Sequence, residues 1–305
     1  MTTRTVCVPD AERRAGLLDL GADRYADLIV WDGTTPAPEG IERTSFLLAP
    51  YRIEPFSVDR LALMPGLEAI QLMSAGFETW ETVCPPGVAL CAGRTLHGSS
   101  TAEVAVAGIL MLLHRHPELL RQQWEGTWRA QPRAGLQGWR AVVVGPGDIG
   151  RTVASVLEVF GARVTLVGRT ARDGVLGQAG LRALLPRQDV VVLTTPLTEE
   201  TRGLVDAGFL ARLPEGAIVV NVSRGPVVDT DALADALERG QVRAVLDVTD
   251  PEPLPADHRL WRMPGLILTP HVGGAAAGWE RRADALVVEQ LERWSAGRDL
   301  LHRVR

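Results

Sequence analysis

Short apolar runs alternate with longer segments of helical periodicity along the chain, and the alternation is most regular in the second half. The cores of the runs there, such as VVV, VVVL and IVV, are almost entirely apolar. Strands that are apolar on both faces are typical of a parallel sheet covered by helices on either side. We therefore predict six strands, at residues 141–144, 163–167, 190–194, 218–221, 243–246 and 266–269, with helices at 149–160, 180–185, 206–212 and 230–239.

The first part of the chain carries a smaller set of strands, predicted at 4–8, 27–31, 45–48 and 69–73. Residues 101–114 have the apolar density of a buried helix, with Ser100 or Thr101 as its N-cap. The apolar run inside it is about half of a membrane span, so we expect no membrane segment. An amphipathic helix is predicted at 275–296. The length of 305 residues suggests about two domains.

One turn between a predicted strand and a predicted helix has the spacing G-x-G-x-x-G. Gly145 permits the tight turn, Gly147 lets the backbone approach a pyrophosphate, and Gly150 lets the helix pack close to the sheet. The N–H groups at the start of the helix, around Asp148 and Ile149, lie at the positive end of its dipole. The motif alone is weak in a chain with 31 glycines, but the strand before it and the helix after it are the context that dinucleotide binding requires.

The residues that follow the second strand of this unit indicate which dinucleotide binds. NAD enzymes place an acidic residue there, which binds the ribose 2′-hydroxyl. Gly168 stands at that position, and Arg169 and Thr170 follow it, with Arg172 close by. A guanidinium and a hydroxyl suit a 2′-phosphate, and the missing carboxylate removes a repulsion. We predict NADPH as the preferred cofactor, with NAD as a possible one; the alternative is an arginine that simply faces solvent.

The basic residues of the chain exclude several chemistries. All 32 residues counted as lysine or arginine are arginines. Without lysine, the chain cannot form a Schiff base with pyridoxal phosphate or a carbonyl substrate, and it can have neither a P-loop lysine nor a kinase lysine. The net charge is −5 and no basic block stands out, so we expect no nucleic acid and no membrane partner.

The cysteines and histidines argue against disulfides and metal sites. Cys7, Cys84 and Cys91 are odd in number and lack C-x-x-C spacing, which indicates reduced thiols in a cytoplasmic protein. His114 and His116 lie two apart on the predicted helix, so they do not face one metal ion. We expect no metal site. The chain also has no G-x-S-x-G, so a serine hydrolase has no support.

Five ordered motifs in the second half carry a resemblance to a known family. They are G-W-R at 138–140 leading into the glycine turn, T-P-L-T-E-E-T-R-G at 195–203, N-V-S-R-G at 221–225, L-D-V-T-D-P-E-P-L-P at 246–255 and T-P-H-V-G-G at 269–274. The chain resembles the D-isomer-specific 2-hydroxyacid dehydrogenases. Through Gly168, Arg169 and Thr170 it is most similar to their glyoxylate/hydroxypyruvate reductase subgroup.

The resemblance implies a catalytic trio of Arg224, Glu252 and His271. His271 would give a proton to the carbonyl oxygen of a 2-oxo acid, since imidazoles titrate near neutral pH. Glu252 would favour the imidazolium form and fix the ring. Arg224 would polarise the carbonyl and hold the substrate carboxylate bidentately. Each residue alone has an ordinary structural alternative, and only their joint occurrence outweighs it.

Further binding positions are implied in the same way. The loop of Ser74, Ala75 and Gly76 would hold the substrate carboxylate with its backbone N–H groups. Thr101 would lie near the nicotinamide, Asp247 near the carboxamide, and Thr195 and Pro196 would border the adenine. The remaining implied cofactor positions are Thr201, Val222, Ser223, His271, Gly273 and Gly274.

The implied fold is α/β with two Rossmann-like domains, in which a doubly wound parallel-sheet cofactor domain is inserted in a smaller flavodoxin-like substrate domain. Residues 1–96 and 275–305 would form the substrate-binding domain, and residues 97–274 the NAD(P)-binding domain, with the active site in the cleft. Members of the family are commonly homodimers, and Trp124 and Trp128 fall in the segment that usually forms the dimer arm, although tryptophans there could equally belong to the core. Arg52 lies in a loop that varies with substrate and would either favour a more anionic substrate or face solvent.

Two other functions fit the same fold. One is a dinucleotide-sensing, corepressor-like binding protein; such relatives usually carry long disordered tails, which we do not see here. The other is a formate- or phosphite-type dehydrogenase. Formate-type members replace the glutamate of the trio, whereas Glu252 is present here, and the phosphite type stays open. We therefore expect an NADPH-preferring oxidoreductase that reduces a small 2-oxo acid to a D-2-hydroxy acid.

Overall fold

The chain forms two compact units in the computed structural model, which describes residues 4–51 and 56–305. One unit comprises Met1–His97 and Ala277–Arg305, and the other comprises Gly98–Ala276. The sequence predicted the boundaries at 96 and 274. Arg52 lies outside the described residues, so neither interpretation of its role is tested.

The first unit is built on a five-stranded parallel sheet in the order β2-β1-β3-β4-β5. Its strands and first helices are β1 (Thr5–Val8), α1 (Ala11–Asp19), β2 (Asp27–Val30), β3 (Thr44–Leu48), α2 (Val58–Ala62), β4 (Ala69–Gln71), α3 (Glu78–Glu81) and β5 (Ala89–Cys91). Side chains of β3 alternate between two cores, with Phe46 and Leu48 in one and Leu47 in the other. The two cores therefore lie on opposite faces of the sheet.

The second unit contains a seven-stranded sheet in the order β12-β11-β10-β9-β6-β7-β8. Its elements are α4 (Gly98–Leu113), α5 (His116–Trp124), β6 (Arg140–Val144), α6 (Asp148–Val159), β7 (Arg163–Gly168), β8 (Leu176–Gly177), α7 (Leu181–Leu184), β9 (Val190–Leu193), α8 (Ala207–Leu210), β10 (Ala217–Asn221), α9 (Thr230–Glu238), β11 (Val242–Leu246) and β12 (Leu266–Leu268). Every strand pair is parallel, so all the strands end at one edge. The winding direction reverses between β6 and β9, as in a doubly wound fold.

The last helix, α10 (Trp279–Ser295), returns to the first unit and packs against its sheet. The Gln290 amide donates to the Gln71 side chain at 2.7 Å, and both side chains are fully buried. Arg13 of α1 forms a 2.6 Å ion pair with Asp284. Burial raises the pKa of the Asp284 carboxyl and Arg13 opposes that shift. The first unit is therefore completed by a segment far away in sequence.

The apolar run inside α4 belongs to a buried helix, as its composition predicted. Gly108 packs so closely on Val245 of β11 that an added Cβ would collide with the valine side chain. Ala105 and Ile109 are fully buried in the same core. No helix within residues 4–51 and 56–305 is long and apolar enough to cross a membrane.

Several predicted boundaries were wrong. α4 begins at Gly98, so Ser100 and Thr101 lie inside its first turn and are not N-caps. It ends at Leu113, and a separate helix begins at His116 after Arg115, whose φ is 55°. The two histidines are therefore not on one helix. The three-residue β5 and the two-residue β8 were not predicted, because such short runs have no readable period.

Candidate active site

The glycine turn lies where the winding of the second sheet reverses. It follows β6, and the neighbouring strand β9 ends just before Thr194. A Cβ at Gly145 would lie 2.6 Å from the Thr194 carbonyl oxygen, and the φ of 105° there also excludes most side chains. The Thr194 hydroxyl donates to the Gly145 carbonyl at 2.7 Å. Ligands of doubly wound sheets bind at this edge.

Helix α6 begins directly after the turn. A Cβ at Gly150 would collide with the Gly145 carbonyl, so only glycine lets the helix start this close to the turn. The N-cap, Gly147, has open space around it, and no side chain caps the helix. The Asp148 carboxylate lies against Gly98 at the start of α4, and Ile149 is half-buried. The arrangement suits an anionic group at the uncapped helix N-terminus.

The end of β7 presents arginines and no acid. Gly168 is buried, and a Cβ there would lie 3.1 Å from the side chains of both Pro146 and Val175. Arg169, Thr170 and Arg172 follow it and are exposed. Neither arginine forms an ion pair within the described part of the chain. Two cations therefore follow the end of β7, whose last residue, Gly168, packs on Pro146 of the glycine turn.

The turn after β10 is organised by the buried amide of Asn221. Its Nδ2 donates to the Arg224 carbonyl at 2.9 Å. Its Oδ1 accepts from the N–H of Ser223 at 3.0 Å and from the Ser223 hydroxyl at 2.7 Å. Val222 and Ser223 are each 6% exposed. Because all these polar groups bond to one another, the backbone that carries Arg224 has one defined course.

Glu252 and His271 form a close pair. Glu252 Oε1 lies 2.5 Å from Nδ1 of His271, and the two side chains are 32% and 42% exposed. Gly225 lies so close to Thr249 that a Cβ would collide with the threonine carbonyl, which brings the turn of Arg224 against the segment of Glu252. The predicted trio thus comes from the three loops that follow β10, β11 and β12.

One buried carboxylate holds the loop of His271. Asp247 is 2% exposed, and its oxygens accept from the Thr269 hydroxyl at 2.6 Å, from Val272 N–H at 2.9 Å and from Gly273 N–H at 2.8 Å. Its carbonyl accepts from the N–H of His271 at 2.7 Å. These bonds fix His271 in a left-handed backbone conformation, with φ of 52°. For a non-glycine residue this conformation is higher in free energy than the usual ones. The predicted contact of Asp247 with the carboxamide stays a prediction.

The remaining predicted cofactor positions lie in loops at the same edge. A Cβ at Gly273 would lie 3.2 Å from Cγ2 of Thr101, so this loop packs on α4, and Gly274 beside it is half-buried. The Thr201 hydroxyl donates to the Pro196 carbonyl at 2.7 Å and closes the turn after Thr195. Their contacts with a cofactor stay predictions.

In the first unit, Ser74, Ala75 and Gly76 follow β4 in a bend of the backbone, called here the Ser74 turn. The Ser74 hydroxyl donates to the Gly76 carbonyl at 2.7 Å. The backbone N–H groups of the three residues donate to no acceptor among the described residues. Consecutive free N–H groups in a turn suit an anion.

The cysteines provide no activated nucleophile. All three are buried, and burial raises the pKa of Cys7 to about 12 and that of Cys91 to about 11. Such thiols stay protonated near neutral pH and are poor nucleophiles. Within the described ranges, no group of three or more His, Cys, Asp or Glu residues could hold a metal ion.

The sequence of the second unit decides the family. Residues 106–273 match the family described as D-isomer specific 2-hydroxyacid dehydrogenase, NAD binding domain. The chain belongs to this family. It is thus an NAD(P)-dependent dehydrogenase of the family that acts on small 2-hydroxy or 2-oxo acids, and the predicted resemblance and fold class are confirmed.

The chain is also similar to individual proteins of known name. It is 32% identical to formate dehydrogenase 2, mitochondrial, of Oryza sativa subsp. japonica, over 96% of this chain and 82% of that one. It is 29% identical to a D-isomer specific 2-hydroxyacid dehydrogenase of Xanthobacter autotrophicus Py2, solved with NADPH and MES, with a TM-score of 0.87 over 100% and 98% of the two chains. It is 26% identical to an NADPH-dependent glyoxylate/hydroxypyruvate reductase of Sinorhizobium meliloti, solved with NADP and sulfate, with a TM-score of 0.83 over 98% of each chain.

Three supporting residues of the dehydrogenase were not predicted as part of the site. Asn221 and Thr269 hold the loops of Arg224 and His271, and Gly225 allows the close approach to Thr249. A signal for Asn221 was present, because a polar residue ends the otherwise apolar run A-I-V-V-N. A buried polar group at a strand end needs partners, and those partners are the turn itself.

We expect Asp247→Asn to lower kcat for 2-oxo acid reduction about 100-fold, since misplacing a catalytic group by about 1 Å has an effect of this size. The new NH₂ group would face an N–H or O–H donor instead of accepting from it, so the unfolding free energy should fall by about 1–3 kcal/mol. Turnover is followed by the absorbance of the reduced nicotinamide, and stability by urea unfolding. Asp231→Asn, at an exposed carboxylate of α9, is the control; an unchanged kcat in Asp247→Asn would contradict the assigned role.

Proposed function

We propose that this dehydrogenase is an NADPH-preferring reductase that converts a small 2-oxo acid, of the glyoxylate or hydroxypyruvate type, into the D-2-hydroxy acid. The observation that carries the proposal is the pair of Glu252 and His271, 2.5 Å apart, in the same unit as Arg224 and the glycine turn. The similarity to the reductase of Sinorhizobium meliloti supports it.

The chemistry requires a hydride on the carbonyl carbon and a proton on the carbonyl oxygen. The reduced nicotinamide, when bound, supplies the hydride and so both electrons. His271 supplies the proton from Nε2, because Nδ1 is engaged by Glu252. The carboxylate of Glu252 stabilises the imidazolium that gives up this proton. Arg224 neutralises charge that develops on the carbonyl oxygen and binds the substrate carboxylate.

The preference for NADPH rests on the end of β7. Gly168 supplies no carboxylate for a ribose 2′-hydroxyl, and its surroundings leave little room for a side chain. Arg169 and Arg172 are exposed cations on either side of Thr170 in the sequence. The doubly charged 2′-phosphate of NADPH would accept charge-assisted hydrogen bonds from these arginines. The ribose of NADH has an uncharged 2′-hydroxyl there and would accept none.

Arg169→Glu should raise KM for NADPH roughly 10- to 100-fold, because it replaces a charge-assisted hydrogen bond by a repulsion, and it should change KM for NADH less than about twofold. Arg163→Glu is the matched control, since Arg163 is also exposed and lies at the opposite end of the same strand. Equal losses with both cofactors in Arg169→Glu would rule out the 2′-phosphate contact.

His271→Ala should lower kcat about 10²- to 10⁴-fold, the usual contribution of a general acid. The Kd for NADPH, followed by nicotinamide fluorescence, should stay within about twofold because the glycine turn is intact. His271→Ala with turnover close to that of the parent protein would remove His271 as the acid.

We also propose a homodimer formed through the end of α5 and the segment that follows it. Trp124 and Trp128 are 82% and 101% exposed, which is unusual for tryptophan in a monomer. A second copy of the chain would cover them. The three free cysteines support a reducing, cytoplasmic location.

The variant Trp124→Glu/Trp128→Glu should be monomeric by light scattering at concentrations where the parent protein is a dimer, because it buries two charges in the interface. Trp261→Glu, at a tryptophan that is 51% exposed elsewhere in the same unit, should remain dimeric. A monomeric parent protein would refute the dimer.

The formate-type alternative draws on the similarity to the rice formate dehydrogenase. Against it stands Glu252, which pairs with His271 in this chain. Initial rates with a panel of 2-oxo acids, and with formate and phosphite in the oxidative direction, separate the possibilities. A chain that binds NADPH but turns over none of these would favour the corepressor-like alternative.

A further inference from the structure

Two neighbouring backbone carbonyls at the Ser74 turn accept hydrogen bonds from residues that follow β5. The Met73 carbonyl accepts a hydrogen bond from Nε2 of His97 at 2.9 Å. The Ser74 carbonyl accepts from the N–H of Gly93 at 2.7 Å. A Cβ at Gly93 would lie 2.8 Å from the Met73 carbonyl oxygen, so this approach depends on glycine. His97 therefore belongs to the framework of the turn.

Holding these carbonyls also sets the direction of the N–H groups. A peptide group is planar, so the oxygen of one residue and the N–H of the next residue are fixed relative to each other. The bond from His97 to Met73 therefore orients the N–H of Ser74. The bond from Gly93 to Ser74 orients the N–H of Ala75 in the same way. Both N–H groups are free of acceptors among the described residues.

The imidazole of His97 is itself held in place. It is 6% exposed and packs against both Tyr51 and Trp279, with ring centroids 5.2 Å and 5.1 Å away, and those two rings are themselves 4.8 Å apart. The guanidinium of Arg13 lies 5.8 Å from the Trp279 ring. The Arg282 guanidinium donates twice to the Leu96 carbonyl, at 3.1 Å and 2.9 Å, beside His97 in the chain. The ring cannot turn away from Met73 without disturbing this packing.

We propose that His97 is a positioning residue, which through the Met73 carbonyl aims the Ser74 N–H at the carboxylate of the 2-oxo acid. This rests on the proposed function, in which the Ser74–Gly76 turn binds that carboxylate. Because a carbonyl only accepts, Nε2 of His97 carries the hydrogen. The aromatic packing and the hydrogen bond are separate contributions, and two variants separate them.

His97→Phe keeps a ring in contact with Tyr51 and Trp279 and removes the donor. His97→Gln removes the ring and keeps an N–H donor at a similar reach. We expect His97→Phe to raise KM for glyoxylate roughly five- to tenfold, the factor that corresponds to one hydrogen bond, while kcat and the Kd for NADPH change less than about twofold. His97→Gln should keep KM within about twofold of the parent value. KM for glycolaldehyde, which has no carboxylate, should not respond to either change.

Amide hydrogen exchange of the peptide that contains Ser74–Gly76 measures how firmly the backbone of the turn is held, and it needs no substrate. Exchange should become about tenfold faster in His97→Phe and stay near the parent rate in His97→Gln. An unchanged KM and exchange rate in His97→Phe, or equal effects in both variants, would overturn the proposal. If the parent protein reduces no 2-oxo acid, the proposed function is wrong, and the exchange comparison alone then supports or overturns the anchoring by His97.

Discussion

A carboxylate that is buried without a cation beside it must be compensated by N–H and O–H donors. Asp247 finds these donors in the loop that follows β12, and the same bonds hold His271 in its left-handed conformation. Asp247 follows β11, and Asn221, at the end of the neighbouring strand β10, does the same for the turn of Arg224. The Asp247 N–H donates to the Asn221 carbonyl at 3.0 Å. Two neighbouring buried polar groups therefore position the side chains to which we assign the chemistry. Groups supported by strand ends are held more accurately than groups on loops alone.

Close backbone approach is the second constraint. At Gly145 and Gly225 an added Cβ would meet the backbone of another loop, and at Gly150 it would meet the Gly145 carbonyl of the same turn. These backbones at the carboxyl edge therefore pack without side chains between them. Gly93 has the corresponding role in the first unit, where it lies against the Met73 carbonyl. In both units the groups to which we assign ligand binding therefore include backbone N–H groups. Such groups need no side-chain ordering and carry no titratable charge.

In a chain without lysine, several arginines donate hydrogen bonds to backbone carbonyls of distant segments. Arg243 is half-buried and donates to the carbonyls of Gly216 and Leu112, and burial lowers the pKa of its guanidinium. Arg282 donates twice to one carbonyl, and Arg13 donates to the Glu280 carbonyl and to Asp284. A planar guanidinium has five donors and stays charged, so it satisfies several acceptors where an ammonium group would be less suited. Arginine thus connects segments here as well as serving the two ligand roles that we propose for Arg169 and Arg224.

The alternation of apolar runs and the five ordered motifs determined the α/β class, the parallel sheets and the family, because buried parallel strands and glycine turns leave a local signature in the sequence. The short strands β5 and β8 and the break at Arg115 leave no such signature. Ser100 and Thr101 are residue types common at N-caps, yet α4 already begins at Gly98. The sequence also could not indicate that Asp247 holds the loop of His271 or that His97 anchors Met73, because their partners lie more than 20 residues away. Which polar side chain meets which backbone group is decided only when the strand ends come together, since hydrogen bonds depend on distance and direction and not on order along the chain.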